Sequence, residues 1–286
     1  MGQALRAVYV DFLDFLPTNM PSNFQISHTH VWRTRESVEN LFHGLYPLEN
    51  REPDQTLTMH VKPSVIEVMT APTPACPKLA KLVTEYHSSS EFQETLEPYL
   101  DLQTKLATAY NTTGVAVYNG SAALHDISAS TFCHSLGMKP GLTTEDVATA
   151  MIPGTSSNRN LFRQNPDAEL VKRLGVGAWL SEIVASFHDH SSPLQVYSAH
   201  DLSLDMFLAV VGESDLPWPP YSSNVVMELW QKEADESLVV RMFYEGMVVP
   251  AHPDLDCDLS ECPLETLEAF LQKYIPTDFR AECVVG

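Results

Sequence analysis

Between residues 176 and 205 the chain runs helix, strand, helix, and few architectures accommodate that succession. Val176, Trp179, Leu180, Ile183, Val184 and Phe187 recur at the spacing of one helical face. After a short loop, Leu194, Val196 and Tyr197 form the apolar run of a buried strand, and a new helix begins near Leu202. Helices on either side of a strand argue for an α/β layer arrangement. The rest of the chain is compatible with it. Residues 33–46 read as a helix with Val38, Leu41, Phe42 and Leu45 on one face, stopped by Pro47. Residues 59–75 are extended and Pro-rich, and 77–170 are helical with polar loops and no strand pattern fit for a central sheet. Residues 224–231 and 238–244 predict two strands of an antiparallel meander or edge, with a turn at Glu245-Gly246. A last helix is expected from Pro263, with Glu265 and Glu268 near its positive end.

The strand at 194–197 ends on Ser198 and Ala199, and then His200 and Asp201 stand side by side. Ligands of open α/β sheets bind at the carboxyl ends of strands. A histidine there can hold an anionic oxygen, and an aspartic acid can protonate a leaving group. On the dipeptide alone a helix cap is the commoner explanation. Arg33 and Arg35 open the helix at 33–46, where two cations oppose the macrodipole unless an anion joins them. They read as a phosphate clamp or as two solvated arginines. His28 and His30, and His188 and His190, have the i, i+2 spacing of metal pairs, but the second pair follows a helix end, where cations suit the dipole. His43-Gly44 ends an amphipathic helix, and Gly44 and Pro47 are sufficiently explained as terminators.

Seventeen basic residues against 37 acidic ones give a formal charge of −20. Such a surface repels nucleic-acid phosphates and anionic lipid, so no nucleic-acid partner is expected. No run approaches the ~18 apolar residues of a membrane span. Asp11 and Asp14 break the opening stretch, which reads as an amphipathic helix with Leu5, Val8, Phe12 and Leu16 at helical spacing rather than as a secretory leader. The chain is expected to begin inside that helix. Residue 6 is Arg where a myristoylation signal wants Ser or Thr. Cys257 and Cys262 are close enough for a local disulfide or for two of four metal ligands, but no second nearby pair completes a metal site. Asn111 and Asn119 head glycosylation sequons, which with five cysteines lean toward a secreted or lysosomal context.

"VYSAHD", "PPYSSNVVMELW", "VRMFYEGMVV", "CPLETLEAFLQKYIP" and "AEC" follow in an order and spacing that resemble the C-terminal half of a histidine acid phosphatase of the lysosomal and prostatic type. "RTRESVENLFHGLYP" resembles the family segment in which an active-site arginine opens a helix. The resemblance implies a mostly parallel sheet flanked by helices, built from residues 1–75 and 170–286, with a helical cap from 76 to 169. It implies that Arg33 and His200 bind phosphoryl oxygens and that Asp201 protonates the leaving alcohol of a phosphate monoester. No cofactor or metal is implied, and a homodimer is the assembly relatives often adopt. A secreted or lysosomal compartment is implied as well.

The family nucleophile is a histidine in an Arg-His-Gly-x-Arg-x-Pro motif, and no Arg-His-Gly occurs in these 286 residues. The expectation is a chain beginning downstream of that motif and lacking a central strand, with marginal stability or an N-terminal helix displaced into the gap. Activity would then be absent or very weak; the alternative is a non-catalytic relative that binds phosphate or a partner. "HTHVW" stands where the family usually carries acidic residues before the arginine, and Asn224 where it has a cysteine. By resemblance, Cys76 pairs with Cys283 and Cys257 with Cys262, leaving Cys133 as a free thiol of the kind that is often buried.

Overall fold

The computed structural model describes residues 1–111, 126–127 and 129–285. They fall into two compact units, Met1–Leu79 with Lys172–Gly286, and Ala80–Val171.

The first unit contains a three-stranded parallel sheet. Strand β1 (Gln25–His28) lies between β2 (His60–Val61) and β3 (Gln195–Ser198). Gln25 stands opposite Gln195 and His28 opposite Ser198, so β1 and β3 end level with one another. Along β1, Ile26 and His28 are buried while Gln25 and Ser27 are half-buried, as a period of two requires. The Pro-rich stretch after residue 59 is less extended than its composition predicts. It gives the short β2 and then tightens into a 3₁₀ turn at Ser64–Ile66, because each proline removes a ladder donor.

Helix α1 (Gly2–Leu5) continues as a π-helix over Arg6–Phe12, and α2 (Trp32–Leu45) follows β1. The π register corrects the expected amphipathic face. Bonds such as Leu13 N–H to Val8 O span five residues, so side chains four apart no longer share a face. Val8 and Phe12 therefore turn to solvent, Phe12 being 79% exposed, while Val10 and Leu16 are buried. Val10, Leu16, Met20, Phe24, Ile26, Val38, Phe42 and Tyr46 form one core, in which the Phe24 ring sits 5.6 Å from Phe42 and 5.5 Å from Tyr46. Val38, Phe42 and Leu45 recur at i, i+4 and i+7, which is why this face of α2 is the buried one.

Gly44 does more than end a helix. A Cβ on Gly44 would lie 2.8 Å from Gln3 N, and one on Gly2 would lie 2.0 Å from Leu41 O. The two glycines let α1 and α2 touch backbone to backbone. The last carbonyls of α2 are then satisfied by arginines: Arg6 donates to Leu45 O at 3.0 Å, and Arg51 donates to Tyr46 O at 2.6 Å and Phe42 O at 2.9 Å.

A separate four-stranded sheet is antiparallel. In it β5 (Leu238–Tyr244) pairs with β4 (Val225–Gln231), β6 (Met247–Val248) and β7 (Cys262–Pro263). Glu245 and Gly246, at φ 51° and 76°, make the left-handed turn that matches the twist of a two-residue hairpin. Tyr9 of the π-helix donates to Glu228 of β4 at 2.6 Å. Pro263 is engaged by β5 opposite Val239, so the final helix (Leu264–Leu271) starts one residue later than its sequence predicts.

In the second unit, α3 (Pro77–His87) enters from the first, α4 (Ser90–Leu96) and α5 (Leu100–Ala109) follow, and α6 spans Thr144–Arg163. Leu106, Leu142 and Ala150 form a small core there. Thr143 and Asp146 close a capping box on α6, and Lys105 donates to Asp146 at 2.6 Å. That ion pair and the Thr143 bonds hold the Asp146 carboxyl at about 2. Helix α7 (Ala168–Phe187) then leads back to β3, and α8 (Asp201–Val211) follows it.

Disulfides join Cys76 to Cys283 and Cys257 to Cys262. Cys133 is free and, against the buried reading, exposed, and the whole run from Thr131 to Gly137 faces solvent at least in part. Asn111 is exposed at φ 52°, and Asn119 lies outside the described residues.

Candidate active site

The level ends of β1 and β3 bring two distant segments together. Thr29 N–H donates to Ser198 O at 3.2 Å, extending the ladder by one residue. Ser198 Oγ donates to Thr34 O at 2.7 Å, which pins the first turn of α2 to the end of β3. α2 and α8 therefore both start at the same edge of the sheet, with Arg33 in the first turn of one and His200 at the cap of the other.

Arg33 and His200, 167 residues apart in sequence, meet there. The guanidinium donates from Nη2 to His200 Nδ1 at 3.2 Å. On the far side of the ring, His200 Nε2 lies 3.0 Å from Thr29 Oγ1. Thr29 is fully buried, and its hydroxyl lies 3.0 Å from Thr34 Oγ1, which in turn donates to Val31 O at 2.7 Å. The backbone of His200 is held too: its N–H donates to Ser203 Oγ at 3.2 Å, and Ser203 donates to Met69 O. Met69 N–H donates at 2.8 Å to Glu67, whose carboxylate is buried. Burial pushes the His200 pKa down, and Arg33 and His30 push it the same way, while Asp201 opposes them.

Asp201 begins α8 with its side chain exposed. Its Oδ1 accepts from Leu202 N–H at 2.8 Å and its Oδ2 from Trp218 Nε1–H at 3.2 Å. The cap position belongs to His200, so Asp201 keeps both carboxylate oxygens at the surface of the site.

Arg33 and Arg35 do not act as a pair. Arg35 turns away to Glu39, one turn along α2, at 2.7 Å. His28 is buried and donates from Nδ1 to Thr29 O at 2.6 Å, whereas His30 is exposed. His188 meets Glu268 at 2.6 Å. Among the described residues no group of three or more His, Cys, Asp or Glu is placed to hold a metal. Four contributors escape a reading of motifs: Thr29, Thr34, Ser203 and Trp218. Only Ser203 carries a local signal, standing three residues after the helix cap, where a hydroxyl can bond back to the cap N–H.

A parallel sheet with flanking helices, carrying an arginine, a histidine and an aspartate at its carboxyl edge, defines a phosphatase-like α/β fold. The chain belongs to the histidine phosphatase superfamily, branch 2, whose family model matches residues 1–245. It is 28% identical to Counting factor 60 of Dictyostelium discoideum over 278 residues, covering 93% of this chain and 64% of that protein. It is 24% identical to the human lysophosphatidic acid phosphatase type 6 (99% of this chain, 66% of that one). It is 25% identical to the prostatic acid phosphatase of Bos taurus (100% and 76%). The chain thus spans under two thirds of the length of the first two. In fold it resembles the phytase of Citrobacter braakii, with a TM-score of 0.67 at 13% identity, covering 100% of this chain and 87% of that one.

Proposed function

We propose that these residues form the phosphate-holding and leaving-group half of a histidine acid phosphatase site. The observation that carries the reading is the contact of Arg33 with His200 at 3.2 Å, with Asp201 next to it at the start of α8. A guanidinium offers forked donors to phosphoryl oxygens, an imidazole adds another, and an aspartic acid can protonate a departing alkoxide. Membership of the superfamily and the acid phosphatases among its relatives support a phosphate monoester as the ligand. Relatives named lysosomal and prostatic acid phosphatase, and the two disulfides, support a lysosomal or secreted compartment.

The half-site holds and protonates but does not attack phosphorus. Arg-His-Gly is absent from the sequence, His28 is tied to Thr29 O, and His30 is exposed beside Arg33 without a second arginine. Removing the nucleophile from residues that act as a unit typically costs about 10⁴- to 10⁶-fold in rate. The 286-residue chain is expected to bind inorganic phosphate weakly and to leave an aryl phosphate at acid pH essentially unhydrolysed. Arg33→Ala is expected to abolish phosphate binding in calorimetry. Robust turnover that disappears in Asp201→Ala would overturn the half-site reading, since a histidine within this chain would then be attacking.

A further inference from the structure

The hydrogen bonds around His200 can run in only one direction. Arginine has donors and no acceptor, so the 3.2 Å contact requires His200 Nδ1 to accept from Arg33. A neutral ring then carries its proton on Nε2, which donates to Thr29 Oγ1 at 3.0 Å. Thr34 spends its one hydroxyl proton on backbone carbonyls, with Val31 O at 2.7 Å and Thr29 O at 3.1 Å. Its Oγ1 can therefore only accept from the Thr29 hydroxyl, 3.0 Å away. The chain reads Arg33 to His200 to Thr29 to Thr34 to Val31 O, with every proton assigned. Thr29 and Thr34 are both almost fully buried, so water does not compete for the bond between them.

We infer that this relay holds His200 neutral as the Nε2–H tautomer, and that binding of a tetrahedral dianion at Arg33 is coupled to uptake of one proton by His200 Nδ1. The inference rests on the phosphate-holding reading and deepens it. An anion that recruits the Arg33 donors removes the bond to Nδ1. That nitrogen is left as a lone pair facing anionic oxygens, where an N–H is stabilised and a lone pair is not. The proton comes from solvent, no covalent bond is made or broken, and the ring becomes a cationic donor to the anion. Thr29 is a positioning residue, because Nε2–H donates to it in both charge states. The charged or titratable groups facing the ring are Arg33 and His30 from the β1–α2 side and Asp201 from α8, with buried Glu67 behind Met69.

The test uses histidine-labelled protein, imidazole NMR, and sulfate as the probe, because sulfate itself takes up no proton between pH 5 and 8. The ligand-free protein should show His200, identified by its loss in His200→Asn, with Nε2 protonated. Saturating sulfate should raise its pKa by one unit or more, and sulfate affinity should fall up to tenfold per pH unit across the interval between the two values. That slope should survive His30→Asn and flatten in His200→Asn. Thr29→Val should give mixed tautomers and Thr29→Ser should restore the single one, which a purely structural role for Thr29 would not produce. An Nδ1–H tautomer in the free protein overturns the relay. Sulfate binding that is lost in Arg33→Ala yet leaves the His200 titration unmoved overturns the coupling. No Arg33-dependent binding of sulfate or phosphate overturns the phosphate-holding reading and the coupling together, while the ligand-free tautomer judges the relay by itself.

Discussion

At the scale of single residues, the candidate site is organised around a histidine whose pKa its surroundings lower. Burial and Arg33 depress the His200 pKa, and burial alone depresses that of His87. The sign of the linkage follows. A base with a lowered folded pKa binds fewer protons folded than unfolded, so its stability is fully present above the ordinary histidine value of about 6.5. That stability is lost as pH falls from there toward the folded pKa. The carboxyls held low by partners, Glu282 by Arg173 and Asp189 by Ser191, act with the same sign in a lower window, below about pH 4. The protein should therefore melt at a lower temperature at pH 5 than at pH 7.5. His200→Asn should remove part of that difference in melting experiments, and equal slopes in the two proteins would contradict the assignment.

At the scale of elements, the position of α2 decides where Arg33 stands. The helix is fixed at its start by Ser198 and Thr34, along its length by Val38 and Phe42, and at its end by Arg6 and Arg51. Its closest neighbour is α1, through Gly2 and Gly44. Alanine is the better helix former by up to ~1 kcal/mol, yet at Gly44 its methyl would press on the backbone nitrogen of Gln3 at 2.8 Å. Overpacking of this kind costs about 1–3 kcal/mol. Gly44→Ala should accordingly lower the denaturation midpoint, measured in urea, where helix propensity alone predicts a rise. Arg51→Ala should loosen the same helix end by uncovering the carbonyls of Phe42 and Tyr46.

At the scale of the whole molecule, the Cys76–Cys283 bond closes a sequence separation of 207 residues. Cross-links of such span restrict the unfolded chain most, and in the chain-entropy account the bond contributes about 5 kcal/mol. Beside it Arg173 makes two 2.7 Å bonds to Glu282 and donates to Lys273 O at 2.9 Å, so the C-terminal segment is held twice within the first unit. Cys76→Ser with Cys283→Ser should shift the guanidinium midpoint strongly, whereas loss of the Cys257–Cys262 bond, which closes a separation of only five residues, should shift it less. Comparable shifts would argue that strain or local packing outweighs loop entropy. The short parallel sheet, with strands of two and four residues, also sets an expectation: a cooperative melt below about 65 °C, the upper end of the mesophile range.

Helix periodicity made α2 and α7 legible in the sequence, because a buried face recurs every three to four residues whatever lies opposite it. Strands β3, β4 and β5 were legible for the analogous reason, and the family followed from the order of several motifs rather than from any one. The π register at Arg6–Phe12 was not legible. The same apolar spacing suits either helix, and the choice depends on packing against α2 and on Tyr9 reaching Glu228. Nor could the sequence show that Arg35 leaves the site for Glu39, or that Gly44 is a contact point. The partners of His200 depended most on the tertiary structure. Residues 29 and 33 meet residue 200 only because β1 and β3 pair in parallel with His28 level with Ser198. A shift of that register by one residue would have turned Thr29, which extends the β1 ladder, away from the ring.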